Sequence, residues 1–158
     1  MNETGPHILW RISNYSDLSG KGGKLASGRW HTAGRRIVYL AYSPAAAMLE
    51  TLVHLDPTED EVPDFYQLLK ISIAEKAAVR TLRLPAGPAW REKPQMTRRI
   101  GDAWLQGLKT PIASVPSVIV PQTWNYLFNP EHPDAEHVQI IATYRERFDN
   151  RLFLGGAR

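Results

Sequence analysis

Glu50 and His54 stand four residues apart, a spacing that stacks two side chains on one face of a helix. Ala46 and Ala47 flank that face and leave room for a ligand to approach. The ordinary alternative is a solvated face carrying an incidental Glu–His pair, and on the helix alone it is the better supported of the two. Arg29 lies in the glycine-bounded segment Ser27-Gly28-Arg29-Trp30-His31-Thr32-Ala33-Gly34, just before a strand. A guanidinium there can clamp a phosphate with its planar fork, and a neighbouring aromatic can stiffen it. A surface arginine stacked on Trp30 explains the same residues equally well. Ser117 enters a β-branched run between Pro116 and Pro121, with no Gly-x-Ser-x-Gly elbow around it, which argues against a hydrolase triad. A serine bonding its own backbone at a strand end is the common reading of such a residue.

His132 and His137, with Glu131, Asp134 and Glu136, could be drawn into a metal site, but their spacing is not that of a helical metal pair. No metal is expected. Nor is there a Walker loop or a dinucleotide fingerprint, since Gly20, Gly22 and Gly23 do not join a strand to a helix.

These candidates must be held by the elements that the pattern of the chain predicts. Ile8–Ile12 reads as a short strand, Ser19–Lys24 as a flexible loop, and Ile37–Tyr42 as a strand of β-branched and aromatic residues. Ser43-Pro44 opens a helix as cap and first-turn proline, and Pro57 is expected to close it. Its apolar stripe, Ala45, Met48, Leu49 and Leu52, is expected to pack on a sheet, with Glu50 and His54 roughly opposite. Asp56–Pro63 is an acidic loop. Further strands are expected over Tyr66–Ile73 and Val79–Leu84, with a long connection through Pro85, Gly87, Pro88 and Pro94. A second helix over Gln95–Leu108 places Met96, Ile100, Ala103, Trp104 and Leu108 on one face. Ser117–Val120 reads as a strand, Tyr126–Pro133 as turn-rich, and Glu136–Tyr144 as a last strand. Many strands with two helices predict α+β, a compact mixed sheet with a few helices, rather than a doubly wound parallel sheet.

The chain has 158 residues, the size of one domain, expected to span 1–158 with a core over about 8–153. With no cysteine, disulfides, thiolate metal sites and cysteine nucleophiles are excluded. Nineteen Lys and Arg against sixteen Asp and Glu give a formal charge of +3, a mild excess that suits an anionic ligand without demanding nucleic acid. The first residues lack the plan of a signal peptide, and no apolar run approaches membrane-spanning length. The default expectation is a cytoplasmic protein.

Taken in order, these pieces resemble the RES-domain family, the toxins of Xre–RES toxin–antitoxin modules. The carriers are Leu9-Trp10-Arg11-Ile12, Gly28-Arg29-Trp30-His31-Thr32-Ala33-Gly34, Val38-Tyr39-Leu40-Ala41, Ala45-Ala46-Ala47-Met48-Leu49-Glu50 through His54, Val115-Pro116-Ser117-Val118-Ile119-Val120-Pro121 and Asn125-Tyr126-Leu127-Phe128-Asn129-Pro130. The likeness runs from about Leu9 to Phe153. The Arg, Glu and Ser of the family label match Arg29, Glu50 and Ser117. One departure is His31, where the family usually carries Asn.

The resemblance implies a fold similar to ADP-ribosyltransferase domains and chemistry on NAD+ as substrate. ADP-ribose would pass to a protein acceptor, to water or to phosphate. It implies an Xre-type helix-turn-helix antitoxin as partner, with nucleic acid met only through that partner. In this scheme Glu50 stabilises the oxocarbenium-like ribose, as carboxylates do in glycosidases. Arg29 clamps the pyrophosphate with support from Arg11, and Tyr39 holds the nicotinamide ring. Ser117 bonds the ribose or shapes the pocket, His54 binds ribose or phosphate or helps the acceptor, and Asn125 joins the dinucleotide site. Two alternatives stand beside it. The basic balance and five histidines would also suit a ribonuclease-type toxin. A nucleic-acid-binding module ranks last, because no basic–aromatic stripe is present.

Overall fold

The computed structural model describes residues 5–55 and 62–156. Seven strands form one mixed sheet: β1 Ile8–Ile12, β2 Val38–Ala41, β3 Phe65–Ile73, β4 Val79–Thr81, β5 Ile112–Pro116, β6 Trp124–Phe128 and β7 Val138–Arg147. Their order is β4-β5-β6-β2-β1-β3-β7, and only β4 and β5 run parallel. The helices are α1 Gly22–Leu25, α2 Pro44–Leu52 and α3 Pro94–Gly107, with 3-10 turns at Pro88–Glu92, Ala135–His137 and Asn150–Gly156. The α+β expectation holds.

Strand alternation divides the core between the two faces of the sheet. Leu9, Val38, Leu40, Leu69, Ile71, Ile112 and Phe128 pack on one side. Trp30, Trp90, Trp104, Leu105, Ala113, Val115 and Leu127 pack on the other, where α3 lies. The middle of the sheet is its weak seam. β1 pairs β3 over five residues and β2 pairs β6 over four, yet β1 and β2 meet only at Trp10 and Ala41. Beyond that pair the two strands separate, and Arg11, Ile12, Tyr39 and Leu40 line the opening.

Several sequence expectations are corrected. α2 ends at Leu52, before Pro57, which lies outside the described residues together with the rest of 56–61. Its buried residue is Ala47, while Ala45 is exposed, so the stripe turned to the sheet runs through Ala47, Glu50, Thr51 and His54. Small Ala47 lets the helix lie close to β1 and β2, which a larger residue there would prevent. Ser19–Lys24 is not all loop, because α1 begins at Gly22. α3 buries Thr97, Gly101, Trp104 and Leu105, whereas Leu108 is left-handed and exposed beyond the helix end. β4 stops at Thr81. The strand expected over Ser117–Val120 is displaced to Ile112–Pro116. The Ser117 hydroxyl accepts from the Ile119 and Val120 N–H groups, at 3.1 and 3.2 Å, and turns the chain where the strand was expected to continue. The segment expected to be turn-rich from Tyr126 begins inside β6, and the last strand starts at Val138 after a 3-10 turn.

Candidate active site

The Ser43 side chain accepts from the Ala46 N–H at 3.1 Å and Pro44 occupies the first turn, so the start of α2 is fixed as its sequence requires. From there Glu50 reaches the seam of the sheet. Its Oε1 accepts from Asn125 Nδ2 on β6 at 2.8 Å and from the Ser117 hydroxyl at 3.2 Å. Ser117 is thereby saturated: its one hydrogen goes to Glu50, and both lone pairs serve the following backbone. Asn125 Oδ1 is buried and meets no donor. An unsatisfied buried acceptor of this kind costs about 1–3 kcal/mol.

Across the seam, the Gly28–Thr32 loop is fastened from several directions. Thr97 Oγ1 donates to the Arg29 carbonyl at 2.6 Å, Arg98 Nε to the Gly28 carbonyl at 2.8 Å, and the Thr32 N–H to Asp102 at 3.0 Å. His31 is 2% exposed. Its Nε2 faces the Gly23 and Ala26 carbonyls at 3.0 and 2.9 Å, so Nε2 carries the proton. Nδ1 then accepts from the Gly28 N–H and from the Tyr39 hydroxyl, the latter at 2.7 Å, while that hydroxyl accepts from the Trp30 N–H at 3.1 Å. His31 is therefore a tie between α1, the loop and Tyr39. Gly28 is required for this approach, since a Cβ there would strike the Tyr39 hydroxyl. The Arg29 Nη1 donates to the Arg91 carbonyl at 2.9 Å, and Trp30 packs against Trp90.

Burial pushes the Tyr39 hydroxyl above the ordinary phenol value, against the opposing pull of the Trp30 N–H. It therefore keeps its proton, as the bond to His31 requires. The stability this contributes is complete below the unfolded value of 10.0 and is lost as pH rises above it. Thermal melts taken from about pH 9 to about pH 12 should fall more steeply for the native protein than for Tyr39→Phe.

Two adjoining lobes meet at these residues. One, of about 390 Å³, is lined by Trp10, Arg11, Tyr39, Glu50, His54 and Asn125. The other, of about 260 Å³, is lined by Arg29, Tyr39, Glu50, His54, Val115 and Asn125 among others. A third hollow, of about 750 Å³, runs beneath the Ser13–Gly28 segment and shares Arg11 and Tyr39 with the first. The first and third are in the size range of small-molecule sites, and the second shares its wall with the first. Six of the seven sequence candidates thus line the lobes: Arg11, Arg29, Tyr39, Glu50, His54 and Asn125. Ser117 stands behind Glu50. The Arg11 guanidinium has no hydrogen bond or ion pair among the described residues, and burial pushes its pKa down, partly opposed by Asp17. A guanidinium still charged in such a place can receive an anion. His132 and His137 lie elsewhere; His132 Nδ1 accepts from the Asp134 N–H. Among the described residues no three His, Cys, Asp or Glu side chains gather as metal ligands would.

Sequence reasoning missed Trp10, over whose ring Lys70 Nζ sits at 5.7 Å, and the loop fastenings Thr97 and Arg98. Thr97 had a visible signal, a polar residue on the buried stripe of α3. Arg98 had none.

Fold and site together define an α+β domain that presents one anchored carboxylate to a cleft bordered by guanidinium groups. A family model described as RES domain matches residues 8–149. The chain belongs to the RES-domain family. It is 48% identical over 149 residues to "Toxin Res" of Pseudomonas putida, covering 92% of this chain and 99% of that protein. It is 37% identical to "Prs ADP-ribosylating toxin" of a Sphingobium strain, covering 91% and 95%. It is 38% identical to "Toxin Res" of Photorhabdus laumondii, covering 92% and 96%. No helix among the described residues is long and apolar enough to cross a membrane.

Proposed function

We propose that this chain is the toxin of a toxin–antitoxin pair and that it consumes NAD+ by breaking the bond between nicotinamide and its ribose. The observation that carries this reading is Glu50, anchored by Asn125 and Ser117, lining one lobe with Arg29 and Tyr39. The family membership and the printed name of the Sphingobium relative support it.

Bond cleavage sends the electron pair of the C–N bond to the ring nitrogen, so nicotinamide leaves neutral and needs no strong acid. Positive charge develops on the ribose, and the Glu50 carboxylate stabilises it. The acceptor oxygen then bonds to the anomeric carbon and gives up its proton. The guanidinium of Arg11, unpaired among the described residues, and the fork of Arg29 suit the two phosphates, Tyr39 suits the nicotinamide ring, and His54 suits the ribose or the acceptor. Ser117 acts as a positioning residue. The acceptor is a protein side chain, water or phosphate. The remaining parts of the proposal are an Xre-type helix-turn-helix antitoxin as partner, a single domain over 1–158 and a cytoplasmic setting.

Incubation with NAD+, alone, with phosphate and with lysate, followed by mass spectrometry, tests the reading. Nicotinamide should appear with free ADP-ribose, its phosphate ester or a modified protein. No nicotinamide in any arm refutes it, and rapid transcript cleavage with unchanged NAD+ would revive the ribonuclease reading. That reading pairs a histidine base with Lys or Arg around one phosphate, and His54 is the histidine that lines the two lobes, beside Arg11 in one and Arg29 in the other.

Ser117→Ala should lower kcat about ten-fold with KM nearly unchanged, because Glu50 loses one of two anchors. Ser117→Thr keeps the hydroxyl and should restore most of kcat. A loss of stability without any change in kcat would reduce Ser117 to a loop residue.

A further inference from the structure

We propose that Asn125 reads the ribose diol of the dinucleotide, its amide nitrogen holding Glu50 while its Oδ1 accepts a hydrogen bond from one ribose hydroxyl. The inference rests on the NAD+ reading above and adds the residue that sets specificity for the intact ribose.

The argument is a count of hydrogen bonds. Glu50 Oε1 already accepts two, from Asn125 and Ser117, which fills its lone pairs. Glu50 Oε2 accepts none among the described residues. Asn125 Oδ1 is buried and also accepts none. Turning the amide over would set Oδ1 against Oε1, two acceptors in contact, so Glu50 fixes its orientation. Ser117 cannot supply a donor, since its only hydrogen is committed. The backbone offers none either: Asn125 pairs with Ala41 of β2 on one side and Val115 of β5 on the other, within the ladders of the sheet.

Two vacant acceptors therefore remain among the described residues, on side chains bonded to each other, and both of these residues line both lobes. A vicinal diol carries two O–H donors on neighbouring carbons and matches that pair. Glu50 belongs beside the ribose, where positive charge develops, so its bonded neighbour faces the same sugar. One hydroxyl is assigned to Glu50 Oε2 and the next to Asn125 Oδ1.

The test measures nicotinamide release from NAD+ and from analogues lacking the 2′- or the 3′-hydroxyl of the nicotinamide ribose. Native protein is compared with Asn125→Ala and Asn125→Ser. Removing a hydroxyl alters the reactivity of the glycosidic bond itself. That term cancels when the kcat/KM ratio of NAD+ to analogue in the native protein is divided by the same ratio in the variant. The quotient should be about 10 to 100 for one analogue, because the native protein leaves a buried acceptor unpaired and the variant does not. Asn125→Asp keeps an acceptor oxygen and should keep discriminating, even as kcat falls through its disturbed Glu50. Quotients within about two-fold of unity for both analogues overturn the inference. If Asn125→Ala does not fold, Asn125→Ser supplies the comparison. If the native protein releases no nicotinamide from NAD+, this inference and the proposed function fall together. Release from NAD+ with flat quotients removes this inference alone.

Discussion

Glu50→Gln should lower the rate of nicotinamide release about 10²- to 10³-fold, with KM changed little. Gln has the size and shape of Glu, and its carbonyl oxygen can still accept from Asn125 and Ser117. What it lacks is the negative charge. The ground state binds a cationic ring some way from the carboxylate, whereas the transition state places positive charge on the sugar beside it, so the loss falls on kcat. The fold should survive, with the melting temperature moved by a few degrees at most, because no buried donor is orphaned. Glu50→Ala is the poorer test, since it strands the Asn125 amide and the Ser117 hydroxyl and mixes stability with chemistry. Release rates from purified protein, read beside a thermal melt, decide the matter. A well-folded Glu50→Gln within about ten-fold of native activity would remove Glu50 from its proposed role.

Gly101→Ala is expected to cost about 2–4 kcal/mol and to disable much of the protein that still folds. In an exposed helix the same change stabilises by up to about 1 kcal/mol, so the sign itself is informative. Gly101 brings α3 against the Trp30 carbonyl, and a Cβ built there falls on that backbone oxygen. No flexible side chain can yield, so the helix or the loop must move. Both carry the site. Thr97, one turn earlier, holds the Arg29 carbonyl, and the neighbouring Asp102 holds the Thr32 N–H. A displacement of about 1 Å at catalytic groups can cost on the order of 10²-fold in rate. Gly107→Ala is the control, because a Cβ there meets nothing within 4 Å. Chemical denaturation should separate the two variants clearly. Equal stability for Gly101→Ala and native protein would mean that α3 does not press on the loop as described.

Much of the site was legible before the fold, in a particular sense. Ser43-Pro44 starts its helix as the local chemistry of a cap dictates, and β1 occupies its expected residues. The face of α2 was misread. An apolar stripe of Ala45, Met48, Leu49 and Leu52 is a sound guess for the buried side when hydrophobicity is the only information. The sheet instead receives Ala47 and the polar residues beside it, because the seam between β1 and β2 leaves a cleft for polar groups to line. Likewise Ser117 sits in a run whose β-branched residues propose a strand. Two backbone bonds to one hydroxyl outweigh that propensity. His31 is the opposite case, a polar residue with no visible partner in the sequence that proves to be fully engaged in space.

Read alone, the chain specifies residue chemistry and local geometry: a capped helix bearing Glu50, a glycine-bounded loop bearing Arg29, alternating strands, no thiol. Those depend on neighbours a few positions away. The pairing of Glu50 with residues 67 and 75 positions distant, the bolting of the Arg29 loop to α3 and the single bridge that opens the sheet belong to the folded state. They arise because strand order and helix docking set distant backbones side by side. Local propensity carries no record of which distant side chain will meet a given acceptor, or of which acceptor will be left for a ligand.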